Sequence, residues 1–381
     1  MMHIVYGYDA VLPTKGADSE QVMNTVASVS RAGAELELLT VLPGKDAMSE
    51  EELKNHYGVH GPFRIEQMGR AWPISRSAEK LAHAWRVTRD PRIGGDTILH
   101  TRHLSMASAA LKRGRKVLYE TYRPWPKQYP AMRAWIVRLL SNPLTLGAIM
   151  HSQYAADAFI EAGVPPEKIA VIHNGWDPKR FEPRMSRQQA RELLDLPLEG
   201  GVVTYTGNVS PNKGLDILLD MALLCPEVTF FIVGSQGRGP LEIRGESIPN
   251  VHFIPWQPYS MTTRYLYASD ILVIPPSLRA LEQAGNTVLP MKTFQYLAAG
   301  RVILSGKTPD VVELLRDDYN AIFVPPGDTE AAAGAVKRIL ASPELAERIS
   351  ANALADAQKL TWDARGQRIL EFIRERSEQA A

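Results

Sequence analysis

Short runs rich in β-branched residues alternate with helical segments along this chain. After a Pro- and charge-rich interruption the alternation starts again. In the first half, HIVYGY (3–8), ELELLTV (35–41), TILH (97–100), KVLYE (116–120), TLGAIM (145–150) and KIAVIH (168–173) read as strands. Helical segments near 18–32, 75–89, 104–113, 130–141 and 153–162 separate them, while 44–62 is polar and resists assignment. In the second half, GVVTYTG (201–207), TFFIVG (229–234), VHFI (251–254), ILVIP (271–275) and RVILSG (301–306) read as strands. Helices are expected over 214–225, 259–268, 290–299, 309–316, 328–340 and 343–358. A last amphipathic segment, WDARGQRILEFIRER (362–376), puts Ile369, Phe372 and Ile373 on one face. Helical crossovers re-enter a sheet from the same end, so such alternation implies parallel strands. The expected class is α/β, with two Rossmann-like doubly wound domains facing an interdomain cleft. A length of 381 residues fits two such domains. The linker DPKRFEPRMS (177–186) sets the expected bounds. These are a first domain over 1–178, a second over 179–358, and a C-terminal helix over 359–381 that packs back on one of the two.

Composition narrows the function classes. The formal net charge is +1, which points neither to nucleic acid nor to an acidic substrate. Residues 64–140 nevertheless hold 16 Lys and Arg against 5 Asp and Glu. Within them, LKRGRK (111–116) and the stretch from Thr121 to Leu140, with Arg133, Arg138, Trp125 and Trp135, offer a peripheral contact for an anionic membrane or an anionic acceptor. A solvated basic face accounts for the same composition. Cys225 is the single cysteine, so no intramolecular disulfide or multi-cysteine metal site can form. The N-terminal MMHIVYGYDA lacks the pattern of a signal peptide, and no apolar run reaches the ~18 residues of a bilayer span. A cytoplasmic location, with peripheral contact to the inner membrane face, is expected.

Two second-half motifs suggest phosphate chemistry. GNTVLPMKTFQYLAAGRVIL (285–304) reads as a loop, a short helix opening at Pro290, and a buried strand. Free N–H groups and the macrodipole make a helix start receptive to an anion. Lys292 sits in that first turn, where a cation is unfavourable unless something anionic is near. YTGNVSPNKGLDILL (205–219) is a strand, a glycine turn, and Lys213 at the mouth of a helix. It carries neither P-loop nor Gly-x-Gly-x-x-Gly spacing. Together the two suggest a diphosphate clamp. The chain contains no Asp-x-Asp pair to hold a divalent ion, so metal-free binding is expected. Trp256, in WQPYSM (256–261), is positioned either to stack on a base or to pack in a loop. His100, His103, His151 and His173 lie at strand ends and read as structural rather than metal-ligating.

The ordered set KIAVIHNGWDPKRFEP, VTYTGNVSPNKGLDILL, NVHFIPWQPYSMTTRYLYASDILVIPP and LPMKTFQYLAAGRVILSG resembles the GT-B retaining glycosyltransferases of family 4 over about residues 165–330. The first half is similar more loosely, through PTKGADSEQVMNTVASVSRAGAELELL and TRHLSMASAALKRGRKVLYE. The resemblance implies an acceptor-binding first domain and a donor-binding second domain. It also implies transfer of a sugar, with retention, from a nucleotide-diphosphate sugar (a UDP-sugar favoured) to a glycan, lipid-linked or small-molecule acceptor. No cofactor or metal is expected.

By the same resemblance, Lys213 matches the basic residue on the donor diphosphate, and Gly207 and Asn208 belong to its loop. Asn286, Thr287, Val288 and Leu289 would line the sugar and phosphates, with Asn286, Thr287 and Lys213 closest to the chemistry. Gln295 matches the carboxylate that holds the ribose, the Trp256 turn would hold the base, and Lys15, Gly16 and Ala17 would face the donor from the first domain. Three departures stand out. The family's Glu-x7-Glu signature is Thr287-x7-Gln295 here, its loop arginine is Asn208, and its first-domain histidine is Tyr122. A GT-B nucleotide-sugar epimerase and a catalytically inactive sugar-nucleotide-binding protein remain as alternatives.

Overall fold

The computed structural model describes residues 2–14, 16–42, 47–69, 76–282 and 289–380. They form two units, Met1–Asn174 with Trp362–Ala381, and Gly175–Thr361. Each is built on one parallel sheet. In the first unit the strands are β1 (His3–Val11), β2 (Glu35–Val41), β3 (Phe63–Met68), β4 (Ile98–Thr101), β5 (Lys116–Thr121), β6 (Thr145–Met150) and β7 (Ile169–Val171). Their order is β3-β2-β1-β4-β5-β6-β7. In the second they are β8 (Gly201–Thr206), β9 (Val228–Ser235), β10 (Val251–Pro255), β11 (Ile271–Ile274), β12 (Val302–Gly306) and β13 (Ile322–Val324), in the order β10-β9-β8-β11-β12-β13. In both sheets the strand order reverses beside the first strand, between β1 and β4 and between β8 and β11. Crossover helices leave on opposite faces there, so a crevice opens at the carboxyl ends of the strands.

The strands are buried on both faces, which explains their near-continuous apolar composition. Clusters on either side of each sheet form the cores. In the second unit Tyr205, Phe230, Ile232, Val273 and Leu304 pack under one helical layer, and Leu272, Ile303, Phe294 and Leu297 under the other. The C-terminal helix Trp362–Ala380 belongs to the first unit, where Ile369, Leu370, Phe372 and Ile373 join the core of β1, β2 and the helix Ala17–Arg31. Two glycines admit it. A Cβ on Gly366 would meet the Ser28 carbonyl oxygen at 2.4 Å, and one on Gly147 would meet the Phe372 ring at 2.4 Å. A helix-interior glycine costs about 1 kcal/mol. Close approach offsets this by burying four large side chains, each contributing roughly 1.5–3 kcal/mol.

Local differences from the sequence reading have identifiable causes. The polar stretch 44–62 contains the helix Glu50–Tyr57, opened by a capping box between Ser49 and Glu52 and closed by left-handed Gly58. The strands β3 and β13 lie outside the sequence expectation, because FRIEQM alternates over only four positions inside a polar stretch and β13 has only three residues. The expected helix over 309–316 is only a 3-10 turn, Val311–Glu313. Asn320 stops it from continuing, accepting from the Arg316 N–H and donating to the Leu314 carbonyl. The helix expected to open at Pro290 runs over Lys292–Ala299; Pro290 belongs to the turn before it, its carbonyl accepting from Thr293 N–H.

Candidate donor site in the second unit

The carboxyl edge of the second sheet gathers the glycine loops and the lysines. β8 ends in Gly207, at φ 134°, a conformation that favours glycine. Its carbonyl lies so close to Gly234, at the end of β9, that a Cβ on Gly234 would sit 2.4 Å from the oxygen. The Gly207 N–H donates to the Val233 carbonyl at 2.9 Å, which locks the two strand ends together. Asn208 is exposed; its carbonyl accepts from the Tyr205 hydroxyl and its side chain from Gln236. A 3-10 turn, Pro211–Lys213, then delivers Lys213 to left-handed Gly214, from which the helix Leu215–Leu224 departs. A Cβ on Gly214 would strike Ser277, just beyond β11. This loop therefore lies against the carboxyl end of β11, at the point where the strand order reverses.

Lys213 is partly buried, and burial pushes its ammonium below the usual lysine range. Lys292 reaches the same place from the helix Lys292–Ala299. Its Nζ lies 3.5 Å from the centroid of the Tyr205 ring, and a Cβ on Gly207 would be 3.2 Å from that Nζ. Burial first, and the charge of Lys213 second, hold Lys292 well below its ordinary range. Gln295 is one turn along, on the same helix face as Lys292. Leu289 is buried in the core at φ 50°, and its N–H donates to Asp310 at 2.8 Å. Trp256 is 42% exposed, and its N–H is held by the Ser235 carbonyl at the end of β9. Asn286, Thr287, Val288 and Lys15 lie outside the described residues.

Gly207, Asn208, Lys213, Trp256 and the helix that carries Gln295 thus gather at one sheet edge. Lys292, which the sequence marks as a cation at the positive end of a helix without giving it a role, joins them there.

Gly16 belongs to the first unit, where it precedes the helix Ala17–Arg31 and its N–H donates to Thr14. That unit holds a buried charge cluster around Glu120, at the end of β5. Gln21 and His151 contact its Oε1 at 2.6 Å, Tyr6 and His100 contact Oε2 at 3.1 and 2.8 Å, and the Arg365 guanidinium of the C-terminal helix closes on Oε1. Burial pushes Glu120 up, but Arg365, His100 and His151 together hold it well below the carboxylate range. Tyr122 follows, with Arg102 over its ring at 5.1 Å and His151 beside it. His103 pairs instead with Asp9 at 2.9 Å. In the basic segment Trp125 and Trp135 pack against the first unit's core, while Lys112, Arg113, Arg133 and Arg138 are exposed. No helix among the described residues is long and apolar enough to cross a membrane.

Residues 200–342 match the family model described as "Glycosyl transferases group 1", and residues 19–180 match "Glycosyltransferase Family 4". A D-inositol 3-phosphate glycosyltransferase of Jonesia denitrificans is 26% identical over 232 residues, covering 56% of this chain and 51% of that protein. The chain thus spans about half the length of the first curated relatives it matches. Among solved structures, a sucrose-phosphate synthase from Thermosynechococcus elongatus superposes with TM-score 0.79 at 18% identity, over 100% of both chains. Anabaena HepE in complex with UDP superposes with TM-score 0.77 at 19% identity, over 98% of this chain and 100% of that one. The fold is GT-B.

Proposed function

This chain belongs to glycosyltransferase family 4, and we propose that it moves a sugar from a nucleotide-diphosphate sugar to an acceptor hydroxyl with retention and without metal. One observation carries the reading. A glycine loop, at the point where the strand order of the second sheet reverses, carries the partly buried Lys213, and its Gly207 lies against the Lys292 ammonium at the start of the helix Lys292–Ala299. A leaving diphosphate needs cationic and N–H groups that are already in place, and preorganised charge in a site partly shielded from water is the strongest means of stabilising it. Lys213 neutralises the departing oxygens, while Trp256 stacks on the base and Gln295 accepts from a ribose hydroxyl. Asn286 and Thr287 are proposed to line the sugar. Bond cleavage proceeds through an oxocarbenium-like state with attack on the same face, so no side-chain nucleophile is invoked.

UDP-sugars are the favoured donors, a choice supported by the UDP complex of HepE. A small-molecule acceptor is supported by the inositol-phosphate relatives, with glycan and lipid-linked acceptors as the other classes. Exposed Lys112, Arg113, Arg133 and Arg138 support a peripheral, cytoplasmic-face contact with anionic lipid.

The test is thermal-shift screening against UDP-, GDP-, ADP- and TDP-sugars, followed by transfer assays with Lys213→Ala. A bound donor at 100 times its Kd adds about 2.7 kcal/mol of stability. The variant should lose about 100-fold in kcat/KM at unchanged melting temperature. Near-wild-type transfer would sink the role of Lys213. Donor conversion without acceptor would indicate an epimerase, and binding without turnover an inactive binder.

A further inference from the structure

We propose that Lys292 is a second phosphate-binding lysine, closing with Lys213 on the diphosphate of the nucleotide-sugar. This rests on the donor-site reading above and extends it to a residue of the other wall of the site.

Lys292 sits where a cation is unfavourable. Its ammonium sits in the first turn of a helix, where the macrodipole disfavours a cation. It has been drawn out of water, and it feels the charge of a second lysine, Lys213. Among the described residues no carboxylate pairs with its Nζ, and the residues 283–288 that precede Leu289 contain no Asp or Glu. The contact that holds it is the Tyr205 ring at 3.5 Å, and a cation–π contact partly compensates lost hydration. A lysine needed only to pack its stem has no reason to bring its ammonium toward another ammonium at the positive end of a helix. A diphosphate turns every one of these penalties into an attraction.

Among the described residues the backbone leaves room beside that ammonium. Gly207 has no side chain where its Nζ lies, and any Cβ there would stand 3.2 Å from it. Gly207 itself is exposed at the rim of the sheet. Lys213 enters from the β8 loop and Lys292 from the helix that precedes β12. The two cations thus come from sequence segments about eighty positions apart. Charge-assisted hydrogen bonds of this type each change affinity by roughly 10- to 100-fold.

The experiment measures binding by calorimetry at fixed salt. The nucleoside diphosphate that binds the wild type most tightly among UDP, GDP, ADP and TDP is compared with its own nucleoside. Lys292→Met keeps a long apolar side chain at this position and removes the charge. It should bind the diphosphate about 10- to 100-fold more weakly, bind the nucleoside as the wild type does, and melt no lower than the wild type without ligand. Diphosphate affinity within twofold of wild type, or equal losses for diphosphate and nucleoside, overturns the proposal. A second measurement needs no variant. Amine acetylation of the wild type, read residue by residue by mass spectrometry, should show Lys292 protected by the diphosphate and not by the nucleoside. Labelling of Lys292 that is indifferent to the diphosphate overturns the proposal as well. A wild type that binds none of the four diphosphates removes the donor-site reading itself, and this inference with it.

Discussion

Replacing Arg365 by Met should destabilise the first unit more than any other single change in its charge cluster. Arg365 is 3% exposed, and its guanidinium has five partners: the Glu120 carboxylate, the carbonyls of Ile172 and His173, the Thr25 hydroxyl and the His151 ring. Methionine fills much of the volume but returns none of these bonds. It leaves Glu120, fully buried, facing Gln21, Tyr6 and two histidines with no permanent positive charge in direct contact. Removing one partner of a buried ion pair costs about 3–5 kcal/mol. In a unit of roughly 190 residues this lowers the melting temperature by something like 6–20 °C. Urea unfolding gives the free energy. Hydrogen exchange on β5–β7 and the C-terminal helix locates it, because the helix is fastened to the sheet through this side chain. Glu120→Gln combined with Arg365→Met should recover part of the loss, since the uncompensated charge is then gone. A single-variant loss below about 1 kcal/mol would refute the view that this pair anchors the C-terminal helix.

Two further outcomes follow from the same geometry. Gly234→Ala places a Cβ 2.4 Å from the Gly207 carbonyl at a φ of 119°, so it should cost about 2–4 kcal/mol and abolish nucleotide binding; a melting temperature within 2 °C of wild type would contradict it. Stability should also fall with pH. Burial pushes His83 and His151 down to about 4 from an ordinary 6.5. The unfolded chain therefore takes up protons below about pH 6.5 that the folded chain refuses until about pH 4. Each histidine removes roughly 2 kcal/mol between pH 7 and pH 5. Urea midpoints at the two pH values, in wild type and in His83→Gln, measure this, and an equal slope in the two proteins would rule out the contribution of His83.

The strand–helix alternation was visible along the chain because it is local. Apolar runs, glycine exits and proline entries repeat at the lengths a parallel sheet needs, as in 201–225 and 285–304. The candidate site was visible where its parts are consecutive: Gly207 to Gly214 form one loop, and Trp256 follows its own strand. The helix Glu50–Tyr57 was equally local, and its capping box was the signal overlooked.

What the sequence could not express is the meeting of distant segments. Nothing near Glu120 announces Arg365, 245 positions later, because an isolated arginine on an amphipathic helix looks like any solvated charge. Nor does anything in TFQYLAAG reveal that Lys292 lies against Gly207 and feels Lys213. Periodicity and turn chemistry act over a few residues, so the sequence by itself determined two parallel α/β units and the loops at their strand ends. Desolvation and charge pairing depend on distance in space. Only the tertiary structure decided which lysines share one site and which buried carboxylate holds the last helix.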